Sequence, residues 1–140
     1  MGRIHDCSVR KRLFKVSKKN NDLVYFNMAM LPIKLGMAKT EKAYLKEIKR
    51  LNVKDASEFI PRGKSAVVHY FTRDGQVTAI MCINLKVNLM KCQIISLLIH
   101  EAVHVWQECK EIMGVKLIDG EVEAYAIQWI SQQFLNEYLK

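Results

Sequence analysis

An α+β fold is expected: an antiparallel β-hairpin packed on a long apolar helix and on a second, C-terminal helix. Three features carry this expectation. Two β-rich runs, residues 65–73 and 76–84, flank Asp74-Gly75. That dipeptide is a strong two-residue hairpin signal, because both central positions need positive φ. Residues 89–112 are apolar with few interruptions, as the inside of a domain requires of a helix. Asp119 precedes a run in which Ile127, Ile130 and Phe134 recur at helical spacing.

Taken in order, residues 1–22 read as a basic arm on a single domain spanning residues 1–140. Residues 23–33 are apolar but mixed in pattern, and periodicity leaves strand and irregular core segment both open. Thr40 caps a helix over about residues 41–51. Its apolar stripe is Tyr44, Leu45, Ile48 and Leu51, with Lys42, Lys46, Lys49 and Arg50 turned away. In the hairpin, the turn sets the register. Ala66, Val68, Tyr70 and Thr72 share a face with Ile83, Met81, Ala79 and Val77, and this more apolar face should meet the core. Val67, His69 and Phe71 point the other way. Asn88 caps the long helix and Gly114 stops it. Asp119 caps the last helix, over about residues 120–139.

The 140 residues carry a net charge of +8, unevenly placed. Residues 1–50 hold 13 Lys/Arg against four Asp/Glu. The remainder is close to neutral. A basic third can meet nucleic acid or another acidic surface. No aromatic-interleaved basic motif or finger spacing accompanies it, so solvated charge is the stronger expectation and nucleic acid the lesser one. Cys7, Cys82, Cys92 and Cys109 are scattered, with no CxxC pair and no apolar leader before them. Reduced thiols in a cytoplasmic protein follow. Cys92 and Cys109 lie on the long helix and are expected in the core. No apolar run approaches the roughly 20 residues that span a bilayer, so no membrane partner is expected.

The long helix breaks its apolar pattern along one stripe: Gln93, Ser96, His100, His104, Gln107 and Glu111, all within about 40° of His100. A polar stripe on a buried helix needs something to satisfy it. The string His100-Glu101-Ala102-Val103-His104 supplies a reason. Histidines at i and i+4 lie one turn apart on one face, so both rings can hold one zinc ion. Glu101 stands about 100° round the helix, poorly aligned as a ligand but able to reach a water at the ion as general base. A third ligand comes from Glu121 or Glu123. The two are about 200° apart, so only one faces inward. Glu123 continues the buried stripe of Ile127, Ile130 and Phe134, and a carboxylate there is costly unless paired or metal-bound. The alternative for Glu123 is favourable placement at a helix N-terminus, which would serve Glu121 equally.

The combined pattern resembles the gluzincin branch of the zincin metallopeptidases, with HExxH on one helix and a glutamate ligand on the next. Glu123-Ala124 matches the Glu-Ala pattern that often marks that ligand. Residues 99–107 and 120–126 also resemble small metallopeptidase-like proteins of phages and prophages. The likeness covers about residues 95–130. It departs where some gluzincins carry an aspartate after the glutamate ligand. Ile127 stands there, so another group must orient the ligand histidine.

The resemblance implies a zincin-like domain, a zinc cofactor, peptide-bond hydrolysis and a protein or peptide substrate in the cytoplasm, that of the host if the chain is phage-encoded. It also implies a sheet edge near the motif helix that binds extended peptide by strand addition, for which the hairpin is the natural source. Tyr125 and His69 are candidate donors to the oxyanion. Two other readings stand beside this one. A non-catalytic zinc module would need the ligands but no base, so Glu101 argues against it. A nucleic-acid or protein-binding accessory role would rest on the basic third.

Overall fold

The computed structural model describes residues 23–140. The expected basic arm and Cys7 lie outside the described residues. The elements are β1 (Val24–Tyr25), β2 (Ile33–Ala38), α1 (Glu41–Arg50), β3 (Ala66–Arg73), β4 (Gln76–Ile83), α2 (Lys91–Met113) and α3 (Gly120–Tyr138). The fold is α+β, with a four-stranded mixed sheet in the order β1-β2-β4-β3.

The hairpin forms in the expected register. Ala66 pairs with Ile83, Val68 with Met81, Tyr70 with Ala79 and Thr72 with Val77. Asp74 and Gly75 take φ of 51° and 77°, the left-handed values this turn requires. β4 is then covered on its other edge by β2, which runs parallel to it. β2 occupies the end of the segment whose pattern left its structure open, and extends beyond it. A parallel strand buried on both faces does not alternate, so period-2 reading misses it.

Helices cover both faces of the sheet. Ala66, Val68, Ala79, Met81 and Ile83 meet Leu98, Ala102, Val105, Ile130 and Phe134 in the larger core. On the opposite face Ile80 and Cys82 pack with Ala43, Tyr44 and Ile48 of α1 and with partly buried Phe59, Val67 and Phe71. The less apolar face of the hairpin therefore has a core of its own.

Thr40 caps α1 by accepting from the Ala43 N–H at 3.2 Å. Tyr44 and Ile48 are buried as expected, but Leu45 is exposed and Glu47 takes a buried place instead. α2 is capped by Met90 rather than Asn88, and Gly114 ends it with a left-handed φ of 66°. α2 is also not buried all round. Leu98, Ala102, Val105, Trp106 and Cys109 face the core, whereas Ile95, Ile99 and Ile112 are exposed. Cys92 is exposed too, so only Cys109 of that pair is a core residue. Asp119 caps α3 by accepting from the Glu121 N–H at 2.9 Å. No helix among the described residues is long and apolar enough to cross a membrane.

Candidate metal centre and its cavity

α2 sets His100 and His104 one turn apart, and their rings meet edge to face with centroids 4.6 Å apart. Their Nε2 atoms are 3.0 Å from each other. Two imidazole nitrogens on one tetrahedral zinc, each at roughly 2.0–2.1 Å, stand about 3.3 Å apart. The pair thus has the spacing of a bidentate chelate. Gln107 orients it. His104 Nδ1 lies 3.2 Å from Gln107 Oε1. An amide oxygen only accepts, so Nδ1 carries the proton and Nε2 is left with its lone pair. Gln107 belongs to the polar stripe of α2, but that stripe is not buried as expected: Gln93, Ser96, His100, His104, Gln107 and Glu111 are all exposed, so solvent can satisfy them.

Glu101 lies beside the pair at the foot of β3 and is 6% exposed. The Val68 backbone of β3 lies beside its carboxylate. Burial pushes the Glu101 carboxyl above the usual range, against the pull of His100, His104, Lys64 and that backbone.

A cavity of about 610 Å³ opens between α2 and β3, lined by Lys64, Tyr70, His100, Glu101, His104 and Glu108 among others. β3 is the outer strand of the sheet on this side. The Asn84 N–H donates to Ser65 O across the hairpin. In antiparallel pairing the bonded positions alternate, so Val67, His69 and Phe71 bond to β4, and the backbone of Ala66, Val68 and Tyr70 faces off the edge. The sheet therefore has an open edge at β3, where Val68 lies beside Glu101 of α2.

Three of the expected site residues are not in this cluster. Glu123 is half-buried, and both its oxygens accept from Lys110 Nζ at 3.2 Å. Lys110 is six residues past His104, about 9 Å further along α2, so the structure does not bring Glu123 to the histidines. Among the described residues, no three His, Cys, Asp or Glu side chains converge as a metal-binding group. His69 faces the α1 side of the sheet, buried, with Nε2 3.1 Å from Phe59 O and its ring against Tyr44. The sheet separates it from α2. Tyr125 is exposed and lines a different, apolar groove with Trp106 and Trp129. Neither is the donor expected of it. Tyr70, which does line the cavity, was legible only as a core-facing position beside Ala66 and Val68.

No family model matches the chain, and neither the curated proteins nor the solved structures include a match.

Proposed function

We propose that this chain is a zinc-dependent peptide hydrolase of the gluzincin kind. The observation that carries the reading is the convergence of His100 and His104 Nε2 at 3.0 Å with buried Glu101 beside them. The donor chemistry fits zinc in two of three ligands. His100 and His104 would hold the ion, and Glu123 would complete the set only by leaving Lys110 and with a shift of the start of α3 toward the histidines. That ion pair is partly exposed on both sides, and such pairs hold weakly, by about 1 kcal/mol or less. When bound, zinc supplies a Lewis acid that polarises a carbonyl and lowers the pKa of water.

The chain's own residues do the rest. Gln107 fixes the His104 tautomer. Glu101 takes a proton from water as that water attacks the amide carbon, then delivers it to the leaving nitrogen. Burial excludes bulk water around Glu101 and favours the proton's return. The free backbone of β3 binds the substrate chain as an added strand, which aligns it along the cavity. Glu101→Gln tests the assignment. It should retain zinc and the fold but lose hydrolysis of a mixed fluorogenic peptide pool by at least a hundredfold, on the order of a lost general base. Cleavage at the wild-type rate would sink the mechanism.

A further inference from the structure

We infer that the apolar groove at the start of α3 is the interface of a homodimer, in which each copy receives Leu117 of the other. The groove, about 750 Å³, lies between the end of α2, the start of α3 and the segment joining β1 to β2. It shares no lining residue with the cavity of His100 and His104, and serves whether or not that site hydrolyses peptides.

Met30, Met113, Val122, Tyr125 and Trp129 line the groove and are 40–73% exposed. Leu117, in the connection from α2 to α3, is 93% exposed. A large side chain offers about 150–250 Å², so these six together present roughly 700 Å² on one copy. The largest apolar patch of a monomer is ordinarily about 300–600 Å². A stable interface covers about 800 Å² on each partner. The patch therefore exceeds what a lone chain ordinarily exposes and nearly fills one side of a standard interface, leaving the remainder to a polar rim.

The surface is also complementary to itself. Leu117 projects from a segment whose Val115 and Ile118 line the groove, so projection and hole lie side by side. A two-fold axis sets both projections into both holes at once, the isologous arrangement of a closed dimer. The lining holds no charged side chain. The chain's net charge of +8 is thus kept out of the contact, and no charge is buried unpaired. Exposed Lys116 precedes Leu117, and exposed Glu121 precedes Val122. Seating Leu117 in the other copy's groove carries Lys116 toward that copy's Glu121, so unlike charges meet at the rim.

Both tryptophans of the chain, Trp106 and Trp129, line the groove, and their emission reports whether it is covered. The test is sedimentation equilibrium of the full chain from about 1 µM to about 200 µM, with tryptophan emission recorded over the same dilutions. Wild type, Leu117→Glu, Val122→Glu and Ile95→Glu are compared. Leu117 and Val122 are more than half exposed, so neither change disturbs the core, and Ile95 is exposed on α2 outside the groove. Wild type should reach twice the 16.2 kDa chain mass, and its emission should shift to the red as dilution separates the copies. Leu117→Glu and Val122→Glu should each raise the dissociation constant at least about thirtyfold, the effect of losing an interface hot spot. Both should keep the wild-type melting temperature at concentrations where all are monomers. Ile95→Glu should dimerise as wild type does. A wild-type chain that stays monomeric throughout would overturn the inference, whether its tryptophans are open to water or shielded at every dilution by another occupant, such as residues 1–22 of the same chain. A dimer that survives both groove substitutions, with emission independent of dilution, would put the interface elsewhere and overturn it as well.

Discussion

Glu47 is one side chain holding two elements. It sits on α1, is 8% exposed, and accepts from Arg50 Nε at 2.9 Å and from the Tyr25 hydroxyl of β1. The Arg50 guanidinium beside it lowers the Glu47 carboxyl below its ordinary value of 4.5, overcoming the opposing effect of burial; the Tyr25 bond and Lys34 add to the lowering. A carboxylate depressed on folding stabilises the native state above its unfolded pKa, and that contribution is lost as pH falls through the folded value. Glu47→Gln should therefore lower the melting temperature at pH 7, and the deficit should close as the pH is taken well below 4.5. Thermal melts at several pH values check this. A deficit of the same size in acid would mean that packing, not charge, is what the variant removes. The same reasoning from single side chains separates Tyr70 from its neighbour His69. Strand parity places one over α2 and the other over α1, and the hairpin register made that parity readable in the sequence.

The register was readable because Asp74-Gly75 allows only one alignment of two alternating runs. β2 had no such signal. It lies between β1 and β4, is buried on both faces, and carries a glycine in its middle. Gly36 is there because a Cβ would stand 2.9 Å from Leu23 Cδ2 and 3.0 Å from Tyr25 Cδ1, side chains of the neighbouring β1 segment, in which Tyr25 pairs with Gly36. Gly36→Val should push that segment away and cost about 1–3 kcal/mol, the usual range for overpacking. An unchanged midpoint in chemical denaturation would contradict the close approach. The helices were legible by their caps and stripes, with two failures of the same kind. Apolar composition was read as burial for α2, yet Ile95, Ile99 and Ile112 are exposed, because hydrophobic residues are also common on surfaces. For Glu123, helical phase gave the face but not the height. α2 continues nine residues beyond His104 before the chain turns back, so the inward carboxylate of α3 meets Lys110 first.

The sheet joins two cores, and the candidate site lies at the rim of one of them, between an open strand edge and a half-exposed helix. The opposite end of α3 is fixed by a buried pair. Lys39, just past β2, lies 3.3 Å from Glu137 Oε1 and donates to the Glu137 carbonyl at 3.1 Å, while Lys140 reaches the other carboxylate oxygen at 2.9 Å. α3 is thus anchored at its C-terminal end by buried charge and at its N-terminal end by the partly exposed Lys110–Glu123 pair. If Glu123 serves the histidines, Lys110 competes with zinc for it. Zinc titration of the purified chain against a chelator of known affinity, for wild type, His104→Ala, Glu123→Ala and Lys110→Ala, weighs these relations together. The expected result is about one zinc per chain, as a single three-ligand site implies. It should be lost in His104→Ala, weakened at least tenfold in Glu123→Ala and tightened in Lys110→Ala. Zinc held by His104→Ala as firmly as by wild type would contradict the assignment of this pair as a metal centre.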